Sequence, residues 1–162
     1  MAIERLEASR FGFDSRCFVC EPANPRGLQI PFFHDTDADV VFATFDLPTE
    51  FSGAPTLVHG GVTLALIDEA MSWATIAIGH KFAYTGETSA RFVWPVRLGR
   101  SYRVEAHLVE RADRRMLTEA SVLDHKGRAC VTATATMVVL DLDQAAEATG
   151  TDITGDDANY TR

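Results

Sequence analysis

The fold is decided by residues 57–80, LVHGGVTLALIDEAMSWATIAIGH. From Val62 to Ile78 this stretch has neither proline nor glycine, and Gly79 supplies a stop, which predicts one long helix. Apolar side chains occur almost all round that helix and leave no wide polar face, so most of its surface must be buried. The helix is too short to cross a membrane.

The rest of the chain predicts an antiparallel sheet that surrounds this helix. Several segments alternate apolar and polar side chains, which is the pattern of strands with one buried face. Two of them flank the turn Asp124-His125-Lys126-Gly127, a hairpin signal. We therefore predict an α+β fold with a sheet curled around the helix. The predicted strands are a short one from about Val40 to Asp46, then residues 84–94, 101–111, 116–124 and 128–140.

Composition indicates a single-domain cytoplasmic protein. The chain has 162 residues and 46% hydrophobic residues, enough for one core. Its N-terminus is charged, without the apolar block of a signal peptide, and no apolar run is long enough for a membrane span. The net charge of −8 argues against nucleic acid as a partner. We divide the chain into an N-terminal lead-in (1–37), a main domain (38–142) and an acidic, disordered tail (143–162).

Two features of the long helix bear on chemistry. The first is His59-Gly60-Gly61 at its start, where glycines let a ligand approach unpaired backbone N–H groups at the positive end of the helix dipole. A developing oxyanion needs such donors, although a tight turn alone also explains paired glycines. The second is the adjacent acids Asp68 and Glu69, which point about 100° apart on a helix. Either one is functional while the other reaches solvent or a salt bridge, or both lie on a narrow wet stripe.

These residues resemble the signature of a known family. His59-Gly60-Gly61, followed by Asp68 nine residues after the histidine, is similar to the motif of PaaI-like hotdog thioesterases. Residues 85–99, TGETSARFVWPVRLG, are similar to a strand of that family, and residues 17–30, CFVCEPANPRGLQI, resemble an N-terminal segment of one subgroup. The resemblance covers about residues 38–140. It implies the hotdog fold, an antiparallel sheet wrapped around one central helix, and an acyl-CoA thioesterase without a cofactor.

The family's roles carry over residue by residue. The resemblance implies that the Gly60 amide polarises the thioester carbonyl and that Asp68 attacks it or activates a water. Thr85 falls where the family often places a Ser or Thr that positions the water or the carboxylate, and His59 would orient the thioester. The family often has an asparagine six residues before the histidine, but Gly53 stands here and offers no side-chain donor.

The spacing of Gly60 and Asp68 predicts a shared site. Eight residues of helix span about 12 Å, so one thioester group cannot meet both residues of a single continuous helix. We expect two subunits to supply them, in a homodimer or a dimer of dimers. For substrate binding we predict Gly61 and Gly53, and also Arg91 and Arg97, which lie with Arg100 and Arg103 around a strand end. These arginines either bind CoA phosphates or form a solvated face.

Several alternatives remain open from the sequence. Cys17-x-x-Cys20 has the spacing of half a zinc site or a redox pair, but no second cysteine pair follows, so we predict no metal. The leading function is hydrolysis of an acyl-CoA thioester. A hotdog hydratase or dehydratase fits the motif poorly, because those enzymes use a catalytic histidine deep in the site. A non-catalytic acyl-CoA binder is the third alternative, since Gly53 replaces the asparagine.

Overall fold

A computed structural model describes residues 2–152 as a seven-stranded antiparallel sheet packed on one long helix. The helix, α1, spans Gly60–Ala77, and a short helix, α2, spans Leu142–Thr149. The sheet order is β1-β2-β3-β5-β6-β7-β4. The strands are β1 (Ile3–Leu6), β2 (Phe32–Asp35), β3 (Val40–Phe45), β4 (Ala83–Phe92), β5 (Tyr102–Arg111), β6 (Arg115–Leu123) and β7 (Ala129–Val139).

The core lies between α1 and the concave face of the sheet. Leu66, Ile67 and Met71 of α1 are fully buried, and they belong to one apolar cluster with the inward-facing residues of the strands, such as Val104 and Val122. Truncating a buried leucine or isoleucine to alanine costs about 2–5 kcal/mol, so this helix face is a major source of stability. The predicted α+β hotdog architecture is confirmed. No helix in the described part of the chain is both long and apolar enough to cross a membrane.

The end of α1 shows why Gly79 is glycine. The predicted stop is near the observed end at Ala77, but the left-handed residue is His80, with φ 56°. A β-carbon on Gly79 would lie 2.6 Å from both Met116 Sδ and the Thr75 carbonyl oxygen. The glycine therefore allows the helix end to approach β6 closely.

The N-terminal segment, described from residue 2 to residue 37, contributes two strands to the sheet. β1 pairs with β2, and β2 pairs with β3, so the predicted boundary between residues 37 and 38 falls inside a continuous sheet. Phe11 and Phe32 from this segment are buried in the core. The prediction missed these strands because each has only four residues beside a stretch rich in proline, glycine and asparagine.

The predicted disordered tail also begins differently. Residues 142–149 form α2, whose start carries a capping box: Asp141 Oδ1 accepts from the Gln144 N–H at 2.8 Å, and Gln144 Oε1 accepts from the Asp141 N–H at 3.1 Å. Ala145 is fully buried, which docks the helix on the body. The acidic composition of this region led to the prediction of disorder, although the capping-box residues were present in the sequence. The remaining predicted tail, 153–162, lies outside the described residues.

β4 is the long strand at one edge of the sheet. It pairs with β7 on one side only, and its residues from Gly86 onward are exposed on both faces. Phe92 is 47% exposed, and Val93 and Trp94, which follow the strand, are exposed to a similar degree. A long open edge beside apolar side chains is a surface that proteins usually cover.

Candidate active site

The start of α1 is capped by His59, the residue before the first helical position. His59 Nδ1 accepts a hydrogen bond from the Gly61 backbone N–H at 2.9 Å. A β-carbon on Gly61 would lie 3.1 Å from that nitrogen, so glycine allows the ring to approach. Because Nδ1 is the acceptor, the proton of a neutral ring lies on Nε2. The structure thus gives the Gly61 amide and His59 a capping role, and leaves only Nε2 of the histidine to face a ligand.

The Gly60 backbone N–H remains available. No acceptor for it is found within residues 2–152. A β-carbon on Gly60 would meet only Phe92 Cζ, at 4.0 Å, so the space around this position is open. A free N–H at the positive end of a helix stabilises an oxygen that carries negative charge. The predicted role of Gly60 as an oxyanion donor requires such a free N–H, and that role stays a prediction.

Asp68 and Thr85 are joined by a hydrogen bond. Thr85 Oγ1 donates to Asp68 Oδ1 at 2.5 Å, which joins α1 to β4, and both side chains are half-buried. Thr85 pairs in register with the buried Met137 and so shares its helix-facing side of the sheet. The strand register shifts between Thr85 and Glu87, and such irregularities re-aim side chains next to sites. The hydrogen bond occupies one carboxylate oxygen and leaves the other for a ligand.

The two ends of this constellation do not meet within one chain. α1 runs without a break from Gly60 to Ala77, and eight residues of α-helix span about 12 Å. Gly60, Leu64 and Asp68 recur every four residues and share one face of the helix. Leu64 is 37% exposed on that face. The chain therefore presents the carboxylate and the free amide on one accessible stripe, but at separate positions along it.

Glu69 departs from the prediction that it reaches solvent or a salt bridge. It is half-buried, and its Oε1 lies 3.2 Å from Cys17 Sγ. Burial, aided by the negative charge on Cys17, raises the pKa of Glu69 to about 8. Sequence reasoning missed this contact because the two residues are 52 positions apart. The one available signal was the Cys-x-x-Cys spacing, which we had set aside.

Gly53 and Arg97 lie in the loops around the helix start. A β-carbon on Gly53 would be 3.2 Å from His59 Cα, so this glycine packs directly beneath the cap. The Gly53 N–H donates to the Leu57 carbonyl oxygen at 3.0 Å. Arg97 forms an isolated β-bridge with Leu57, and its backbone N–H donates to the Tyr102 hydroxyl at 3.0 Å. Gly53 and Arg97 therefore both lie near the start of α1 within one chain.

Two members of the predicted arginine group, Arg91 and Arg103, have different surroundings in the structure. Arg91 lies on exposed β4 opposite Thr132, a solvent-facing residue of β7, so its backbone position is on the outer side of the sheet. Arg103 is engaged elsewhere: its Nε donates to Glu105 Oε1 at 2.6 Å, and its guanidinium lies 3.8 Å from the Phe42 ring centroid. The structure does not bring Arg91 and Asp68 together within one chain.

Comparison with known proteins agrees with this geometry. Residues 56–131 match the model of the thioesterase superfamily. No curated protein matches the chain. Among solved structures, a thioesterase superfamily protein is 26% identical, with a TM-score of 0.71 over 76% of this chain. The present chain covers 60% of the length of that protein.

Two further structures share the fold at lower identity. A Streptococcus mutans protein bound to acetyl CoA is 20% identical, with a TM-score of 0.60 over 63% of this chain and 82% of that chain. The E. coli PaaI protein from the phenylacetic acid degradation operon is 13% identical, with a TM-score of 0.59 over 63% and 73% of the two chains. These structures share the predicted hotdog fold, and the superfamily match agrees with it.

Proposed function

We propose, from the premise that this chain carries a thioesterase-superfamily domain of hotdog fold, that it hydrolyses acyl-CoA thioesters at a site shared by two copies. The observation that carries the proposal is the Asp68–Thr85 pair on an accessible helix face whose N-terminal amide is free. Acetyl CoA bound to the streptococcal protein of the same fold favours a CoA ester as substrate. The acyl group itself is left open.

The open edge of β4 supports the shared site. A second copy that pairs along β4 would cover the ten-residue edge and the exposed Phe92, Val93 and Trp94. Such an interface is isologous, so each copy gives the other the same surface. It would place the α1 helices side by side and antiparallel. Gly60 of the partner subunit would then lie beside Asp68, which one continuous helix cannot achieve.

The chemistry follows from the free groups on each side. Asp68 takes a proton from a water with its second carboxylate oxygen, while Thr85 holds the first. The water oxygen bonds to the thioester carbon, and the carbonyl oxygen becomes an oxyanion that accepts from the N–H of Gly60 of the partner subunit. The carbon–sulfur bond then breaks, and the CoA thiolate receives the proton from Asp68. Direct attack by Asp68, with hydrolysis of the resulting anhydride, uses the same contacts.

Residues in the loops around the start of α1 would bind the substrate. Arg97 lies near the start of α1 through its bridge to Leu57, where it would contact a CoA phosphate. Phe92 Cζ would lie 4.0 Å from a β-carbon placed on Gly60. Arg91, the residue before Phe92, would contact a CoA phosphate across the interface. Nε2 of His59 would donate to the thioester end, and the Gly53 backbone would support that ring.

The test is release of free CoA thiol from a panel of short, long and aromatic acyl-CoA esters. We expect release with the wild-type protein and its near loss in Asp68→Asn. Asp46→Asn, a matched change at an exposed position after β3, should behave as wild type. Saturable binding of every ester without thiol release would point instead to a non-catalytic binder. Addition of water to an enoyl-CoA with the thioester intact would point to a hydratase.

A further inference from the structure

The N-terminal segment brings a second chemical cluster to α1, on the side away from Asp68. The Sγ atoms of Cys17 and Cys20 and a carboxylate oxygen of Glu69 all lie within 4.8 Å of one another. Within the described residues, no other group of three or more cysteine, histidine or acidic side chains is arranged closely enough to hold a metal ion. The three residues, here called the thiol–carboxylate cluster, have no part in the proposed hydrolysis.

The spacing of these atoms is close to that of a zinc site. Tetrahedral zinc takes sulfur at about 2.3 Å and carboxylate oxygen at about 2.0–2.2 Å, which places ligand atoms roughly 3.5–3.8 Å apart. Cys17 Sγ and Glu69 Oε1 are 3.2 Å apart. Two thiolates with one carboxylate match the softness and charge that zinc prefers. The other two separations are at most 4.8 Å, so the atoms would need to move by about 1 Å or less to reach those distances.

The backbone around Cys17 stabilises a thiolate. The Val19 N–H donates to Cys17 Sγ at 3.3 Å. The Cys20 thiol, followed by such backbone N–H groups, lowers the pKa of Cys17 to about 5. Among the ion pairs of the described residues, none gives Glu69 a cationic partner.

A small cavity adjoins the cluster and holds an unpaired donor. It has a volume of about 190 Å³ and is lined by both cysteines and Glu69, and also by Ser72 and Trp73. Trp73 is only 4% exposed, and its indole N–H has no acceptor within residues 2–152. A buried donor without a partner is uncommon and calls for an explanation. A metal-bound water in this cavity would supply an oxygen acceptor.

We propose that Cys17, Cys20 and Glu69 bind a zinc ion, with a water in the adjoining cavity as the fourth ligand. The ion gives the half-buried Glu69 carboxylate a cationic partner. It also ties the N-terminal segment to α1 across 52 residues of sequence. This proposal departs from the sequence-based prediction of no metal. That prediction sought a second cysteine pair, whereas the third ligand is a glutamate from the helix.

The first measurement is metal content and cobalt absorption of the full chain kept under reducing conditions. We expect one zinc per chain, and on replacement by Co²⁺ a thiolate-to-cobalt charge-transfer band with visible bands of tetrahedral intensity. Cys17→Ser should weaken zinc binding at least about tenfold, because one of three protein ligands is lost. Glu69→Gln should weaken binding but keep the thiolate band. Cys130→Ala, at the buried cysteine of β7, is the control that should bind as wild type.

A second measurement uses only the wild-type protein, in case a variant fails to fold. Zinc should protect two thiols from a thiol-specific reagent, and a chelator should make both reactive again. The proposal is overturned if the reduced protein binds no cobalt through thiolate, or if Cys17→Ser folds and binds zinc as tightly as wild type. Equal thiol reactivity with and without zinc would overturn it as well. None of these readouts depends on thioester hydrolysis.

Discussion

Asp68 and Glu69 are neighbours in the chain, yet they have opposite surroundings on α1. Asp68 faces β4, accepts a hydrogen bond from the neutral hydroxyl of Thr85, and lies beside an open strand edge. Glu69 faces the N-terminal segment, contacts Cys17, and has its pKa raised to about 8 by burial. A rotation of about 100° between adjacent helical residues separates the two environments. One turn of helix therefore carries two carboxylates in different chemical environments.

The two sides of α1 also differ in whether one chain supplies all the groups of the proposed site. The thiol–carboxylate cluster gathers its three side chains within one chain. On the Asp68 side, the proposed oxyanion donor Gly60 of the same helix is about 12 Å away. The proposed hydrolysis therefore requires a second copy, whereas the proposed zinc site does not. Four experiments test or refine this contrast.

The largest effect is expected for Asp68→Asn. Asparagine keeps the size of the side chain and can still accept from Thr85, but it cannot take a proton or attack a carbonyl. General base catalysis contributes about 10²–10⁴-fold, so kcat should fall by that factor while the fold persists. Steady-state thiol release and circular dichroism measure the two quantities. If the folded variant keeps more than half the wild-type turnover, Asp68 is not the catalytic group.

The second experiment restores activity by mixing two inactive variants. Gly60→Pro removes the N–H donor, and proline is well accepted at the first helical position. Its homodimer and that of Asp68→Asn should each be nearly inactive. After joint unfolding and refolding, half the dimers are mixed and each holds one intact site, so the mixture should recover about a quarter of wild-type activity.

The same mixing applied to the zinc cluster should give the opposite result. Cys17→Ser and Glu69→Gln refolded together should not regain wild-type zinc affinity, because each chain keeps its own defect. Circular dichroism of each variant must first show a native fold.

If the Asp68→Asn and Gly60→Pro pair folds, associates and stays inactive, the shared site is wrong, and both residues must act within one chain.

A smaller effect is expected for Thr85→Val. Valine has the shape of threonine but donates no hydrogen bond, so Asp68 loses the contact that fixes its orientation. A hydrogen bond to a charged group is worth about 1.5–3 kcal/mol, and we expect kcat to fall roughly 10- to 100-fold with little change in KM. Thr85→Ser, which keeps the hydroxyl, should recover most of the rate. Equal losses in both variants would mean that the methyl group and not the hydroxyl matters.

The smallest effect is a pH-dependent shift in stability for Glu69→Gln. The pKa of Glu69 is about 8 in the folded chain, against an ordinary value of 4.5. Between these values the folded state binds more protons than the unfolded state, so the contribution of Glu69 to the free energy of unfolding falls as pH rises. Cys17, Cys20 and Asp68 face Glu69 in both proteins, so comparing the two largely removes their contributions.

Glutamine does not ionise, so the Glu69→Gln variant lacks this pH-dependent contribution to the free energy of unfolding. With a chelator present, the Tm of Glu69→Gln should exceed that of the wild type by roughly 3–10 °C at pH 8, and the difference should vanish near pH 4.5. With saturating zinc at pH 8 the order should reverse, because only glutamate is an anionic ligand. Glu119→Gln, an exposed change on β6, should show neither behaviour. Thermal unfolding in matched buffers is sufficient for the comparison.

The sequence predicted one side of α1 better than the other. The Asp68 side depends on local signals: an all-round apolar helix, glycines at its start, and strands with alternating side chains. Thr85 was placed through the family resemblance, and the structure brings it to Asp68. The contact between Cys17 and Glu69 depends instead on the path of a loop that joins two four-residue strands, β1 and β2. No pattern in the sequence specifies that path.

The two chain termini show the same limit. Burial of Phe32 and Ala145 depends on tertiary contacts that polar or flexible flanking residues obscure. The capping box at Asp141 is a local signal that was present in the sequence, but acidic composition outweighed it in the prediction. Short elements are stabilised by what they dock against, so composition alone underestimates their order.

The order of strands in the sheet has a consequence for how the chain folds during synthesis. β4 follows α1 directly in sequence, but its only partner within residues 2–152 is β7, which begins 37 residues after β4 ends. At about 5–20 residues per second, a ribosome needs roughly 2–7 s to make that interval. During that time β4 has no strand partner, and the contacts of β7 with α1 are missing. The domain therefore cannot close progressively from its N-terminus, and a nascent chain halted before Ala129 should be a chaperone substrate and not a folded intermediate.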